Sequence, residues 1–276
     1  MIEALSYSFV QHAVLAGILV SLAAGIIGSL IVVNRMVFLA GGIAHTSYGG
    51  IGMAVYLGMP IFLGASIFAV AAALLVAYLT LYQRERIDTF IGLIWAVGMA
   101  IGVILVDLTP GYNVDLMSYL FGSILAVSSS DLMMMGILLI LIVAIVTFRY
   151  RDILAVSYDS EYAALRGVNV PLFYSLILVM AAMTVVMAIK VVGLILVIAM
   201  LTIPVYIAEK ISLSLLGMMF YSGMISMLFT LGGLILSYSY DLTSGASIIL
   251  VSAVGLILFL LGAKILSKAQ HVNLPH

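Results

Sequence analysis

This chain of 276 residues is 66% hydrophobic and 8% charged, with a mean hydropathy of +1.36, values that exclude a soluble globular domain and predict an integral membrane protein. Its net charge of −1, without any tract of five or six basic residues, argues against nucleic acid or an anionic membrane surface as a partner. Because the chain has no cysteine, disulfides and thiolate metal sites are excluded.

Apolar runs follow one another along the chain, and many reach the roughly 17–25 residues that cross a bilayer as a helix. We therefore predict an all-α polytopic protein that forms a single transmembrane domain over residues 1–276. Residues 1–9 are expected to form a short interfacial helix, and residues 115–125 are too short to cross and should lie in, or re-enter, the outer boundary. About nine spans are predicted, with eight or ten as alternatives, at 10–33, 36–58, 60–82, 89–107, 131–148, 171–190, 192–208, 212–238 and 244–266.

Lysine and arginine concentrate on the cytoplasmic side of membrane proteins, so their positions predict orientation. With nine spans and the C-terminus inside, only Lys190 falls outside, and we expect its side chain to snorkel toward the interface. We predict a multi-pass protein of the plasma or inner cell membrane, with the N-terminus outside and the C-terminus in the cytoplasm. The basic residues that fall inside are Arg35, Arg84, Arg86, Arg149, Arg151, Arg166, Lys210, Lys264 and Lys268.

The second predicted span is unusual because it combines one histidine with many small residues. Gly41, His45, Gly49 and Gly52 fall at i, i+4, i+8 and i+11, so they share one face of a helix. One interpretation is a tight helix crossing, with the histidine hydrogen-bonded to a neighbouring carbonyl. We favour the other, a translocation pathway, since an ionisable side chain in hydrocarbon is costly and usually functional.

A neutral imidazole is a common ligand of divalent transition metals. One histidine cannot form a tight four-ligand site, so we expect His45 to hold a metal only weakly and transiently, and we expect no resident cofactor in this chain. Acids in the predicted outer loops could attract the cation. Of these acids, Asp131 ends the run Ser128–Asp131, which is more typical of a helix N-cap. Asp107 and Asp241 are retained as candidate pathway residues.

The longest predicted cytoplasmic loop, residues 149–170, contains a short helix. Asp159 or Ser160 can cap it, Gly167 can close it in a left-handed conformation, and Pro171 can start the next span. Its apolar surface could be buried by a cytosolic partner or, equally, by its own bundle. The chain has no GxxxxGK[ST] loop and no catalytic motif, so we expect it to be no enzyme and any ATP chemistry to come from another polypeptide.

Taken together, five segments resemble the permease subunit of the zinc/manganese/iron family of metal-ion ABC importers. They are RMVFLAGGIAHTSYGGIGMAVYLG, DLMSYLFGSILAVSSSDL, SYDSEYAALRGVNV, VVGLILVIAMLTIPVYIA and LSYSYDLTSGASIILVSA. The resemblance implies a type II importer bundle in which two permease copies form the translocation path. It also implies two cytosolic ATPases, which bind the ATP, and an external metal-binding protein that delivers the ion.

By position, His45 matches the histidine of the family's span-two Ser-His-Ala pattern, here Ala44-His45-Thr46. The family often has an acid four positions before that histidine, whereas this chain has Gly41, which leaves one fewer oxygen ligand and leaves the identity of the metal open. The segment that matches the family's ATPase-coupling helix consists of Asp159, Ser160, Glu161, Tyr162, Ala163, Ala164, Leu165, Arg166 and Gly167.

The resemblance implies an importer of zinc or manganese, with iron as a third candidate, that works by alternating access driven by the partner ATPases. The alternative is an ion- or proton-coupled secondary transporter without an ATPase. Such a protein should carry several ionisable residues at mid-membrane, and this chain offers little beyond His45.

Overall fold

The chain folds into helices joined by short connections, as seen in a computed structural model that describes residues 7–82, 87–109 and 120–272. These residues contain no strand. A 3-10 turn over Ile124–Ala126 precedes the helix that begins at Ser129. The helices are α1 (Ser8–Val33), α2 (Val37–Leu57), α3 (Ile61–Tyr82), α4 (Ile87–Asp107), α5 (Ser129–Phe148), α6 (Tyr150–Tyr158), α7 (Ser160–Leu165), α8 (Val170–Val192), α9 (Val197–Ile211), α10 (Leu215–Tyr240) and α11 (Ser244–Val272).

Seven of the described helices, α1, α3, α4, α5, α8, α10 and α11, are long and apolar enough to cross a membrane. The all-α class is therefore confirmed, whereas the predicted count of nine spans is not. The two helices that account for the difference are α2, whose apolar character is diluted by glycines and His45, and α9, which has only 15 residues. Ser8 and Phe9 already belong to α1, so the described part of residues 1–9 is not a separate interfacial helix.

The centre of the bundle is formed by α1 and α8, whose spans are 67% buried, while α11, α4 and α5 lie at its periphery. Small residues bring α1 and α10 together: a side chain at Gly25 would collide with the backbone of Gly223. Beside this contact, the hydroxyls of Ser29 and Ser222 lie 3.2 Å apart. Close approach through small and hydroxylated residues is the usual way in which helices associate in lipid.

The segment that begins at residue 120 folds onto the end of α8 and onto the start of α11, where the amide of Ile124 donates to Ser244 Oγ at 3.3 Å. The amide of Ser123 donates to the carbonyl of Lys190 at 3.3 Å, and the amide of Ile195 donates to the carbonyl of Leu120 at 3.2 Å. Residues 120–125 therefore do not continue as a span, as expected, while residues 115–119 lie outside the described ranges.

The start of α5 carries the N-cap that the sequence predicted. Ser128 Oγ accepts from the amide of Asp131 at 3.2 Å, and the Asp131 carboxylate accepts from the amide of Ser128 at 3.1 Å. Lys190 Nζ lies 3.4 Å from the same carboxylate. The fold therefore brings an acid from another helix within reach of this lysine, and the snorkelling of its side chain stays a prediction.

Candidate functional site around His45

The site centres on the imidazole of His45, which lies near the middle of α2 and is half-buried. Its Nδ1 atom is buried and has no hydrogen-bond partner among the described residues. The packing interpretation required a hydrogen bond from this histidine to a carbonyl, and none forms through Nδ1. A buried nitrogen without a partner is costly in a protein interior, so it calls for an explanation, and a bound ion is one that would satisfy it.

The imidazole stacks on the indole of Trp95 in α4, with ring centroids 3.9 Å apart and an interplanar angle of 13°. Indole Nε1 donates to Met99 Sδ at 3.1 Å, one turn further along α4. Sequence reasoning missed this partner. The only signal for it was that Trp95 is the single tryptophan of the chain and lies within a predicted span.

The glycines that share a face with His45 make close contacts with other helices. A Cβ at Gly49 would lie 2.7 Å from the carbonyl oxygen of Gly98, and one at Gly52 would collide with the backbone of Gly102. A Cβ at Gly41 would lie 2.8 Å from Ile198 Cδ1 in α9. The space that these glycines clear is therefore filled by α4 and α9, as close helix packing requires, and their role in a pathway stays a prediction.

The two candidate acids lie at helix ends. Asp107 is the last residue of α4, and Asp241 follows α10 in a left-handed conformation; both are exposed. Across residues 7–82, 87–109 and 120–272, no group of three or more His, Asp or Glu side chains could hold a metal ion. The structure therefore does not join His45, Asp107 and Asp241 into one ligand cluster.

The short helix predicted in the loop of residues 149–170 is α7. Asp159 caps it, since its Oδ1 accepts from the amide of Tyr162 at 2.9 Å, and Gly167 closes it with φ +79°. Ala163 is fully buried against the bundle, whereas Leu165 is 88% exposed and Tyr162 is half-exposed. One face of the element is thus anchored while the other presents apolar side chains.

A comparison with known protein families identifies the family of the chain. The model of the ABC 3 transport family matches residues 6–263. The chain belongs to this family. It is accordingly a multi-pass membrane protein of a transporter family, and the resemblance that the sequence suggested is confirmed.

Curated relatives within the family carry metal-transport names. The chain is 34% identical to the manganese transport system membrane protein MntC of Halalkalibacterium halodurans, over 91% of this chain and 86% of the relative. It is 28% identical to the high-affinity zinc uptake system membrane protein ZnuB of Haemophilus influenzae, over 87% of this chain and 92% of the relative.

A solved structure shares the fold over nearly the whole chain. A chain of PsaBC from Streptococcus pneumoniae, determined in complex with Fab, superposes with a TM-score of 0.85 at 29% identity, covering 94% of this chain and 93% of that one. The ABC-permease bundle expected from the sequence is therefore confirmed.

Proposed function

We propose that the chain is the membrane permease subunit of an ATP-driven importer of divalent transition-metal ions, with zinc and manganese as the first candidates and iron as the third. The observation that carries the proposal is the match of the ABC 3 transport family to residues 6–263, within which relatives are named for manganese transport and zinc uptake. The alternative of a secondary transporter has no comparable support.

The chemistry of His45 supports a divalent metal as the substrate. Its Nδ1 has no hydrogen-bond partner within the described part of the chain, and a neutral imidazole nitrogen is a ligand that zinc and manganese both accept. A single nitrogen holds an ion weakly enough to release it, which suits a conduit. Asp107 and Asp241, exposed at helix ends on the predicted outer side, would attract the cation before it reaches His45.

Partner chains supply the energy and deliver the ion in this proposal. Two cytosolic ATPase subunits would dock on the α7 elements of two permease copies, and an external metal-binding protein would load the outer side. The exposed side chains of Tyr162 and Leu165 on α7, held in place by buried Ala163, support the ATPase contact. Closure of the ATPase dimer would move α7 and switch the path past His45 between outward and inward access.

The experiment that tests this function is reconstitution of the chain in vesicles, with and without the ATPase encoded beside it. We expect accumulation of Zn²⁺ or Mn²⁺ that requires both ATP and the ATPase, because the chain has no nucleotide-binding loop of its own. Initial rates of uptake are measured for Zn²⁺, Mn²⁺ and Fe²⁺ in turn. Gradient-driven accumulation by the isolated chain would replace this proposal with the secondary-transporter alternative.

Replacing Leu165 by Glu should weaken docking of the ATPase by about 30-fold, because burying a carboxylate where an apolar anchor sat costs about 2 kcal/mol or more. ATP-dependent uptake and copurification of the ATPase should fall together, while the permease itself stays folded, since Leu165 is 88% exposed. Binding of the purified ATPase to the permease in nanodiscs gives the affinity.

The matched control is Leu213→Glu, which makes the same change at a fully exposed leucine in the connection between α9 and α10, on the same predicted side. We expect this variant to retain uptake and ATPase binding. Equal losses in the two variants would show that α7 is not the coupling element.

A further inference from the structure

The stack between His45 and Trp95 fixes the plane of the imidazole ring. The two rings are nearly parallel, 13° apart, with centroids at 3.9 Å, so the indole covers one face of the imidazole. The lone pair that binds a metal lies in the ring plane, at the edge, so an indole on the ring face does not cover it. Rotation of the imidazole about its last side-chain bond by less than a half-turn would tilt its plane away from the indole and break the stack, so the plane of the ring is held.

The indole is itself fixed by contacts between α2 and α4. Nε1 donates to Met99 Sδ at 3.1 Å, which orients the indole on its own helix. One residue away on each helix, Thr46 Oγ1 donates to the carbonyl of Ile94 at 3.2 Å. At Gly98 a Cβ would lie 2.7 Å from Thr46 Cα, which shows how closely the two backbones approach. The position of Trp95 relative to His45 is therefore set by backbone contact.

We infer that Trp95 is a positioning residue for the transported ion: its indole holds the imidazole of His45 with a ring nitrogen, rather than the ring face, directed to the path. This inference rests on the proposed function and adds a residue to its site. The orientation of the imidazole matters in this chain because Gly41 provides no carboxylate, so a single nitrogen has to be presented in the correct direction.

The indole also favours positive charge at the imidazole. The face of an aromatic ring attracts cations through its quadrupole, and an imidazole that binds a divalent ion gains positive character. This attraction is weaker than that of a carboxylate, so it favours arrival of the ion without trapping it. Phenylalanine retains such a face, whereas leucine does not, and this difference provides the test.

Uptake kinetics of the reconstituted transporter test the inference. We expect Trp95→Leu to raise KM for Mn²⁺ about 10-fold or more, the range seen when residues that orient a metal ligand are replaced, with little change in kcat. Trp95→Phe should keep KM within about threefold of the wild type, because it can still stack. Phe229→Leu, which removes a ring packed on Gly255 between α10 and α11, is the control for loss of an aromatic side chain and should leave KM unchanged.

The single tryptophan gives a second readout that needs neither ATP nor the ATPase. In nanodiscs, Mn²⁺ should quench the fluorescence of the purified full-length chain, and His45→Gln should abolish the quenching, because the ion then no longer binds beside the indole. If quenching is the same in the His45→Gln chain, or if Trp95→Leu has the KM of Trp95→Phe, the inference is wrong. Quenching that depends on His45 together with uptake that ignores ATP would instead overturn the proposed function and leave the role of Trp95 standing.

Discussion

Replacing His45 by glutamine should reduce ATP-dependent uptake of Zn²⁺ or Mn²⁺ by about 100-fold, which corresponds to about 2.7 kcal/mol in binding the ion. Glutamine has a similar size and can still form hydrogen bonds, but its amide is a much poorer ligand for transition metals than imidazole. No described residue forms a hydrogen bond with Nδ1 of the wild-type side chain, so the loss should appear in transport rather than in folding. Initial rates in vesicles, compared with the thermal stability of the same preparation, separate the two effects.

His12→Gln is the matched control for this prediction. His12 lies in α1, with its Nε2 3.4 Å from Ser129 Oγ, whereas His45 and Trp95 lie in α2 and α4. We expect full uptake in this variant. If His45→Gln and His12→Gln transport at equal, undiminished rates, His45 is a packing residue and the pathway has to lie elsewhere.

The largest effect on folding is expected for Gly52→Val, which should destabilise the protein by about 3 kcal/mol or more, at the upper end for overpacking, and leave little folded chain after detergent extraction. The physical reason is that a Cβ at this position would collide with the carbonyl oxygen and Cα of Gly102, which are backbone atoms that cannot move aside. α2 and α4 would have to separate, and the stack of His45 on Trp95 would separate with them. Size-exclusion profiles and thermal unfolding measure the loss.

The control for this variant is Gly92→Val, on the helix that α2 packs against. Nothing lies within 4 Å of a Cβ at Gly92, and this residue is exposed, so the same substitution should leave the folded yield nearly unchanged. A Gly52→Val chain as stable as the Gly92→Val chain would mean that the close approach of α2 and α4 is not required by the fold.

Local features of the fold were predictable from the sequence because they depend on residues near one another in the chain. The apolar runs predicted helices, Ser128–Asp131 predicted the cap of α5, and Asp159 with Gly167 predicted the ends of α7. The number of spans was harder to predict, because length and hydropathy decide it only when a run is purely apolar. α2 is diluted by glycine and histidine, and α9 ends after 15 residues.

The sequence by itself determined that this chain is a helical membrane protein, that its family resemblance is to metal-ion permeases, and that His45 is an ionisable group within a span of small residues. Only the tertiary structure decided which groups these side chains contact. Trp95 stacks on the imidazole of His45, the backbones of Gly98 and Gly102 pack against the glycines of α2, and Asp131 lies within reach of Lys190. The reason is physical. Hydropathy places each helix in the bilayer but is the same on every apolar face, so the partners of a face are set by the shapes of side chains far apart in the sequence.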